Sequence, residues 1–246
     1  MQNKVRRIIL PIIFWISLWE IFALMIGNSF LMPSFLETLD ALLNLMFTSA
    51  FYKVIALSAL RVLAGLTIGC AAGIILSIIC SYSKPIYEIF SPIVTVIRST
   101  PVASFIVVMW ILLKSDMLAI FIAFIMVMPI IWQSTTDAIS SIDRELLEVC
   151  KIFEFSKRKT LKLLILPTIK KYLFPAIITS SGLAWKAEIA AEIIAYTRNS
   201  IGQGINDAKY EMETPTVFAW TAVIIFLSIL FEYATKLLLR RHKDES

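Results

Sequence analysis

Apolar residues run in long blocks along this chain, at Ile8 to Ile26, Ala56 to Cys80, Ile86 to Leu113, Met117 to Ile139, Tyr172 to Ala195 and Pro215 to Leu239. A helix needs about 20 such residues to cross about 30 Å of hydrocarbon, and each block is long enough. The pattern predicts an all-α integral membrane protein with six transmembrane helices. The first block follows Lys4, Arg6 and Arg7, a basic start shared with signal peptides. It is longer than the apolar core of a signal peptide and no small-x-small cleavage site follows, so it reads as a retained span. Pro33 then breaks the chain. Ser34 to Met46 reads as a short amphipathic helix at the outer surface, with Phe35, Leu39, Leu42, Leu43 and Met46 on one face.

One polar interruption, Ser140 to Pro167, is far longer than the others. It reads as two short helices joined by a turn. In the first, Leu146, Val149, Cys150 and Phe153 recur at the i, i+3, i+4, i+7 spacing that places apolar groups on one face. Ser141 or Asp143 can cap its start, and Asp143, Glu145 and Glu148 lie toward the end where the helix dipole favours anions. The second helix begins near Ser156. Lys157, Arg158 and Lys159 then crowd a first turn where the dipole disfavours cations by a few tenths of a kcal/mol each, so these charges serve something outside the helix. Pro167 is expected to end the segment.

Composition confirms the class: 59% of residues are hydrophobic and 17% charged, with mean hydropathy +0.82, too little polar surface for a soluble domain of 246 residues. The net charge of +5 is the signature of basic cytoplasmic loops, not of a nucleic-acid surface. Placing the N-terminus inside puts 16 lysines and arginines in cytoplasmic segments and only Lys53, Lys114, Arg198 and Lys209 outside. Both termini and the 140–167 segment are therefore expected in the cytoplasm. Cys70, Cys80 and Cys150 show no C-x-x-C spacing, so neither a disulfide nor a metal site is indicated. Ala64, Gly65, Gly69, Ala72 and Gly73 give the second span a small-residue face for close helix packing. Pro101 and Pro129 are expected to bend the third and fourth spans.

The run from Glu148 to Glu154, followed by Leu164-Ile-Leu-Pro167, resembles the EAA loop of ABC importer permeases, with Glu148, Leu164, Leu166 and Pro167 in register. Val149 and Cys150 replace two alanines, and Glu154 stands where that pattern has glycine. A glycine there would permit positive φ, which glutamate adopts at a cost of about 1 kcal/mol. Ile97 to Leu113, Gly182 to Tyr196 and Gly202 to Trp220 are similar to permeases of the nitrate, sulfonate and taurine importer group, a likeness covering residues 53 to 238. The resemblance implies a type I ABC importer permease architecture with a cytoplasmic coupling helix. Its implied divisions are an N-terminal span and outer helix (1–52), a permease domain (53–239) and a cytoplasmic tail (240–246). It implies a bacterial inner-membrane homodimer with two ATPase subunits and an extracytoplasmic solute-binding protein, with ATP and magnesium bound by the ATPase and no cofactor in this chain. Leu147, Glu148, Val149, Cys150, Phe153, Glu154, Phe155, Ser156 and Pro167 become the ATPase-coupling residues.

The residues themselves argue against chemistry on a bound molecule. No G-x-x-x-x-G-K-[ST], H-E-x-x-H or G-x-S-x-G occurs, and His242, the only histidine, lies in a polar tail. Charges within spans cost roughly 2.5 to 3.5 kcal/mol each at a helix centre unless paired or wetted, and so mark a pathway or a structural pair. Arg98, Thr100, Pro101, Trp185, Glu188 and Glu192 are the translocation candidates, with Arg98 and Glu192 as an expected pair. Glu20 and Arg61 are assigned to packing or interfaces. The function expected is import of a small polar or anionic solute by alternating access driven by a separate ATPase. A proton-coupled secondary transporter using Glu188 and Glu192, and a membrane scaffold that transports nothing, are the alternatives.

Overall fold

In the computed structural model, which describes residues 2–244, the chain is a group of helices without strands among the described residues. They are α1 (Gln2–Ile26), α2 (Phe35–Met46), α3 (Ser49–Tyr82), α4 (Lys84–Ser99), α5 (Val102–Trp110), α6 (Ser115–Ser140), α7 (Arg144–Ile152), α8 (Lys157–Thr160), α9 (Leu166–Ile194), α10 (Ile201–Tyr210) and α11 (Thr214–Asp244). A π-turn, Leu161–Ile165, joins α8 to α9. Of the 240–246 tail, Glu245 and Ser246 lie outside the described residues, as do the side chains of Lys4, Arg6, Arg7 and His242.

Among the described residues, four helices are long and apolar enough to cross a membrane: Ile9–Ile26, Ser49–Tyr82, Ser115–Ser140 and Thr214–Leu239. The expected third span is not one bent helix. It is two, α4 and α5, inclined by 100°, because Thr100 and Pro101 are both extended (ψ 131° and 129°) and interrupt the hydrogen-bond ladder. The pair counts as a fifth span only if taken together. The expected fifth block forms the 29-residue α9, which falls short of the apolar character of the other four. Its dilution has a physical cause: Ser180, Ser181, Glu188 and Glu192 are turned into the helix group and fully buried. Pro129 removes one donor from the ladder, yet α6 remains a single helix through it.

The rigid centre is α3 against α6. Gly65, Gly69 and Gly73 recur every four residues and lie against Ala123, Val127 and Ile131, also four apart, so the two helices run parallel with backbones in close approach. A Cβ added at Gly69 would sit 2.7 Å from Val127 Cβ, and one at Gly73 2.8 Å from Ile131 Cβ. The expected small-residue face is thus the α3–α6 seam. α9 runs antiparallel to α6, with Ser134 Oγ donating to the Tyr172 carbonyl at 2.9 Å. α11 closes the group, stacking Trp220 against Phe51 (5.3 Å) and Phe231 against Trp185 (5.8 Å).

α2 begins with a capping box: Ser34 Oγ accepts from the Glu37 amide, and the Glu37 carboxylate accepts from the Ser34 amide. The Ser29 hydroxyl, followed by the Ser34 backbone amide, holds the Glu37 carboxyl below the usual carboxylate range. The buried face of α2 differs from the expected one. Thr38, Leu42 and Leu45 point inward, whereas Leu39, Leu43 and Met46 are exposed. Glu20 sets this rotation by accepting from the Phe35 amide at 3.0 Å, while the Trp19 indole donates to the Pro33 carbonyl at 2.9 Å. Glu20 is therefore a packing residue, as its sequence position indicated.

Two alanine substitutions separate seam packing from helix propensity. Gly69→Ala should lower stability by about 1 to 3 kcal/mol through overpacking. Gly182→Ala, whose Cβ would meet only Glu232 Oε2 at 3.4 Å, should be neutral or stabilising by up to about 1 kcal/mol. Thermal unfolding of the two purified variants reads the difference.

Candidate functional site

The 140–167 segment projects from the Ser140 end of α6. Asp143 caps α7, its carboxylate accepting from the Glu145 amide at 2.8 Å. Along α7 an apolar stripe of Leu146, Val149, Ile152 and Phe153 stands exposed, with Ile152 at 77% and Phe153 at 69%. Ile152 was missing from the expected stripe, in which Cys150 is instead half-buried. Leu147 is half-buried and Glu148 exposed. The helix stops in a Schellman turn: the Phe155 amide donates to the Cys150 carbonyl (2.9 Å) and the Glu154 amide to Lys151 (3.0 Å). Glu154 occupies the left-handed position, with φ +50°. The glutamate thus adopts the conformation for which a glycine would be better suited.

Ser156 caps α8 through its Oγ, which accepts from the Lys159 amide at 3.3 Å, and the Lys159 ammonium lies 3.8 Å from the Phe155 ring centroid. The expectation that Pro167 ends the segment is overturned. The chain continues helically from Lys157 to Ile194, with Pro167 in its interior, where the ring removes one backbone donor. The preceding π-turn, in which the Leu166 amide reaches the Leu161 carbonyl, adds the extra residue that accommodates it.

A second site gathers buried charge. Glu192 is fully buried near the end of α9. Ser58 Oγ lies 2.8 and 2.9 Å from its two oxygens, Arg61 Nη1 donates to it at 2.9 Å, and the Gly202 amide donates at 3.2 Å. Ser58 Oγ in turn accepts from the Ile201 amide at 3.1 Å. Arg61 also donates through Nη2 to Asp116 at 2.7 Å, with the Arg198 and Asn199 carbonyls at 3.4 and 3.5 Å. One carboxylate therefore ties together α3, α9 and α10, and Arg61 extends the link to α6. Gly202 allows this approach, since a Cβ there would lie 2.5 Å from the Glu192 backbone. Glu188, one turn away on the same face, is also fully buried, and neither of its oxygens has a hydrogen-bond partner among the described residues.

Glu192 does not pair with Arg98. Arg98 is exposed at the end of α4 and makes no ion pair among the described residues, because the break after Ser99 turns this helix end away from the buried face of α9. Thr100 and Pro101 remain with Arg98 at that break. Trp185, Glu188 and Glu192 share the buried face of α9. The true partners of Glu192 are Ser58, Arg61 and Gly202, with Asp116 paired to Arg61. Arg61 was visible as a lone cation in an apolar run, and Ser58 precedes it at helical spacing. Gly202 and Asp116 carried no comparable signal.

Replacing Glu154 by glycine should remove the strained φ and stabilise the α7–α8 turn by about 1 kcal/mol. Slower amide exchange at Phe155 is the expected readout, and unchanged or faster exchange would contradict the turn geometry.

The family described as binding-protein-dependent transport system inner membrane component matches residues 65–244. The aliphatic sulfonates transport permease protein SsuC of Bacillus subtilis is 22% identical over 96% of this chain and 86% of its own length. The taurine transport system permease protein TauC of Escherichia coli is 24% identical over 91% of this chain and 83% of its own. The bicarbonate transport system permease protein CmpB of Synechococcus elongatus is 29% identical over 64% of this chain and 57% of its own. Their names agree with the apolar helices, and this chain belongs to the family of binding-protein-dependent transport system inner membrane components, as an ABC importer permease of the nitrate, sulfonate and taurine group.

Proposed function

We propose that this chain is the membrane-spanning half of an ATP-driven importer for a small anion, assembled as two copies with two ATPase subunits and a solute-binding protein outside. The observation that carries the reading is the exposed apolar stripe of Leu146, Val149, Ile152 and Phe153 on α7. Exposed in water, such a stripe is a binding face, and a short capped helix with a fixed turn can act as a rigid lever. Six spans, α1, α3, the α4–α5 pair, α6, α9 and α11, would leave both termini on one side, and the excess of lysine and arginine in the segments on that side supports the cytoplasm. The α7–α8 segment is then on the ATPase side, and the Glu192 cluster lies toward the outer face. The 53–239 region is the transport unit, and 1–52 adds a peripheral span and the surface helix α2. ATP and magnesium belong to the partner ATPase, and nucleotide-driven closure moves α7 together with the helical rod that leads into α9.

The anionic solute class rests on the relatives, whose names specify sulfonates, taurine and bicarbonate. Arg98, free at the α4–α5 break, is available to a passing anion. The Glu192 cluster holds the helix ends in place.

Glu148→Arg tests the docking face. Glu148 is exposed beside the apolar stripe, so reversing its charge should abolish co-purification of the ATPase and ATP-driven uptake while the permease still reaches the membrane. Unchanged ATPase association and unchanged uptake of nitrate, taurine and ethanesulfonate would contradict the assignment.

A further inference from the structure

The basic residues that follow the α7 turn have no role in the coupling face. Lys157, Arg158, Lys159, Lys162, Lys170 and Lys171 fall within fifteen residues, and none forms an ion pair among the described residues. Lys157, Arg158, Lys162 and Lys171 are exposed. Lys157, Arg158 and Lys159 stand in the first turn of one helical rod, where the backbone dipole opposes them; Lys159 lies over the Phe155 ring, and the helix gains nothing locally from Lys157 and Arg158. Exposed Leu161, Leu163 and Leu166 are interleaved with the basic residues, and the same rod becomes α9. Cations and apolar side chains therefore alternate where a helix enters the membrane.

We infer that this basic collar binds the anionic headgroups of cytoplasmic-leaflet phospholipids, with Leu161, Leu163 and Leu166 seated among the adjoining acyl chains. The inference rests on the topology proposed above, which places the collar at the cytoplasmic surface. Two features favour lipid over an acidic protein face: the leucines between the charges, and the direct continuation of the collar into a spanning helix. Each Lys or Arg near an anionic surface adds to binding, and the attraction fades beyond a Debye length. Long basic side chains reach the headgroups while their stems stay against apolar surface. Such anchoring fixes one end of the lever and leaves the α7 stripe facing away from the bilayer.

The test uses the full-length chain in nanodiscs of phosphatidylcholine, with or without one part in three of phosphatidylglycerol. In the anionic discs, amide exchange over residues 157–166 should slow, and native mass analysis should find phosphatidylglycerol retained at least about tenfold over phosphatidylcholine. Neutralising Lys157→Gln, Arg158→Gln and Lys162→Gln together should remove both effects, and so should high salt. Lys157→Arg with Lys162→Arg should retain them. Equal retention of the two lipids by the wild type, or unchanged preference in the triple variant, overturns the inference. Loss of ATPase binding by the triple variant with lipid preference intact overturns it in favour of an acidic protein partner. Labelling of Ser156→Cys, with Cys150→Ser, by an impermeant thiol reagent in intact cells would overturn the topology beneath it, a failure distinct from absent lipid preference.

Discussion

A carboxylate removed from water inside an apolar helix group must be matched, and Glu192 is matched three ways by donors from two other elements. Ser58 and Arg61 come from α3 and the Gly202 amide from α10, while Asp116 of α6 is a second carboxylate on the Arg61 guanidinium. The cost of burying one ion is offset only if these donors arrive together, since a buried charge that loses its partner typically costs about 3 to 5 kcal/mol. One side chain therefore holds α3, α9 and the start of α10 relative to one another, and α6 joins them through Arg61. Arg61 shows how unequal its two pairs are: its own side chain is 11% exposed, Glu192 is fully buried and Asp116 is 66% exposed. The Glu192 pair is structural, and the Asp116 pair is a solvent-screened supplement worth about 0 to 1 kcal/mol.

That fixed end complements the glycine seam. Between Gly65 and Gly73 the α3 and α6 backbones meet with no room for a side chain, so these two helices move as one body. α9 carries the buried carboxylates at one end, and at the other it continues without interruption through the π-turn into α8. A displacement at the α7–α8 segment thus has a continuous helical route toward the Glu192 cluster. In the proposed importer, this continuity turns nucleotide-driven motion into movement of a spanning helix. Glu188 lies on that route, buried and without a hydrogen-bond partner among the described residues.

Much of this was legible from residue patterns. Apolar blocks located the long helices, and the small residues of α3 gave the seam because a four-residue period has one meaning on a helix. The amphipathic α7 and its Asp143 cap were equally direct. The left-handed turns at Tyr196 and Met212, with φ +52° and +61°, were not legible, because neither residue is the glycine that marks such a turn, and the one at Glu154 was signalled only by the resemblance to a pattern with glycine there. The rotation of α2 escaped because a distant group, Glu20, sets it. The Arg98–Glu192 pairing failed because a sequence shows which charges are buried but not how far the Thr100–Pro101 break turns a helix end. Among the family-derived coupling residues, Glu148 and Glu154 occupy an exposed helix face and its turn, whereas Pro167 lies inside a continuing helix.

The measurement closest to the centre of this account is a double-mutant cycle on Arg61→Met and Glu192→Gln, read by unfolding of the purified chain in a single detergent. If Glu192 and Arg61 hold the helix ends as a pair, each single variant should be strongly destabilised and the double variant should recover much of the loss, with a coupling energy of about 2 to 3 kcal/mol. Additive effects to within about 0.5 kcal/mol would contradict it.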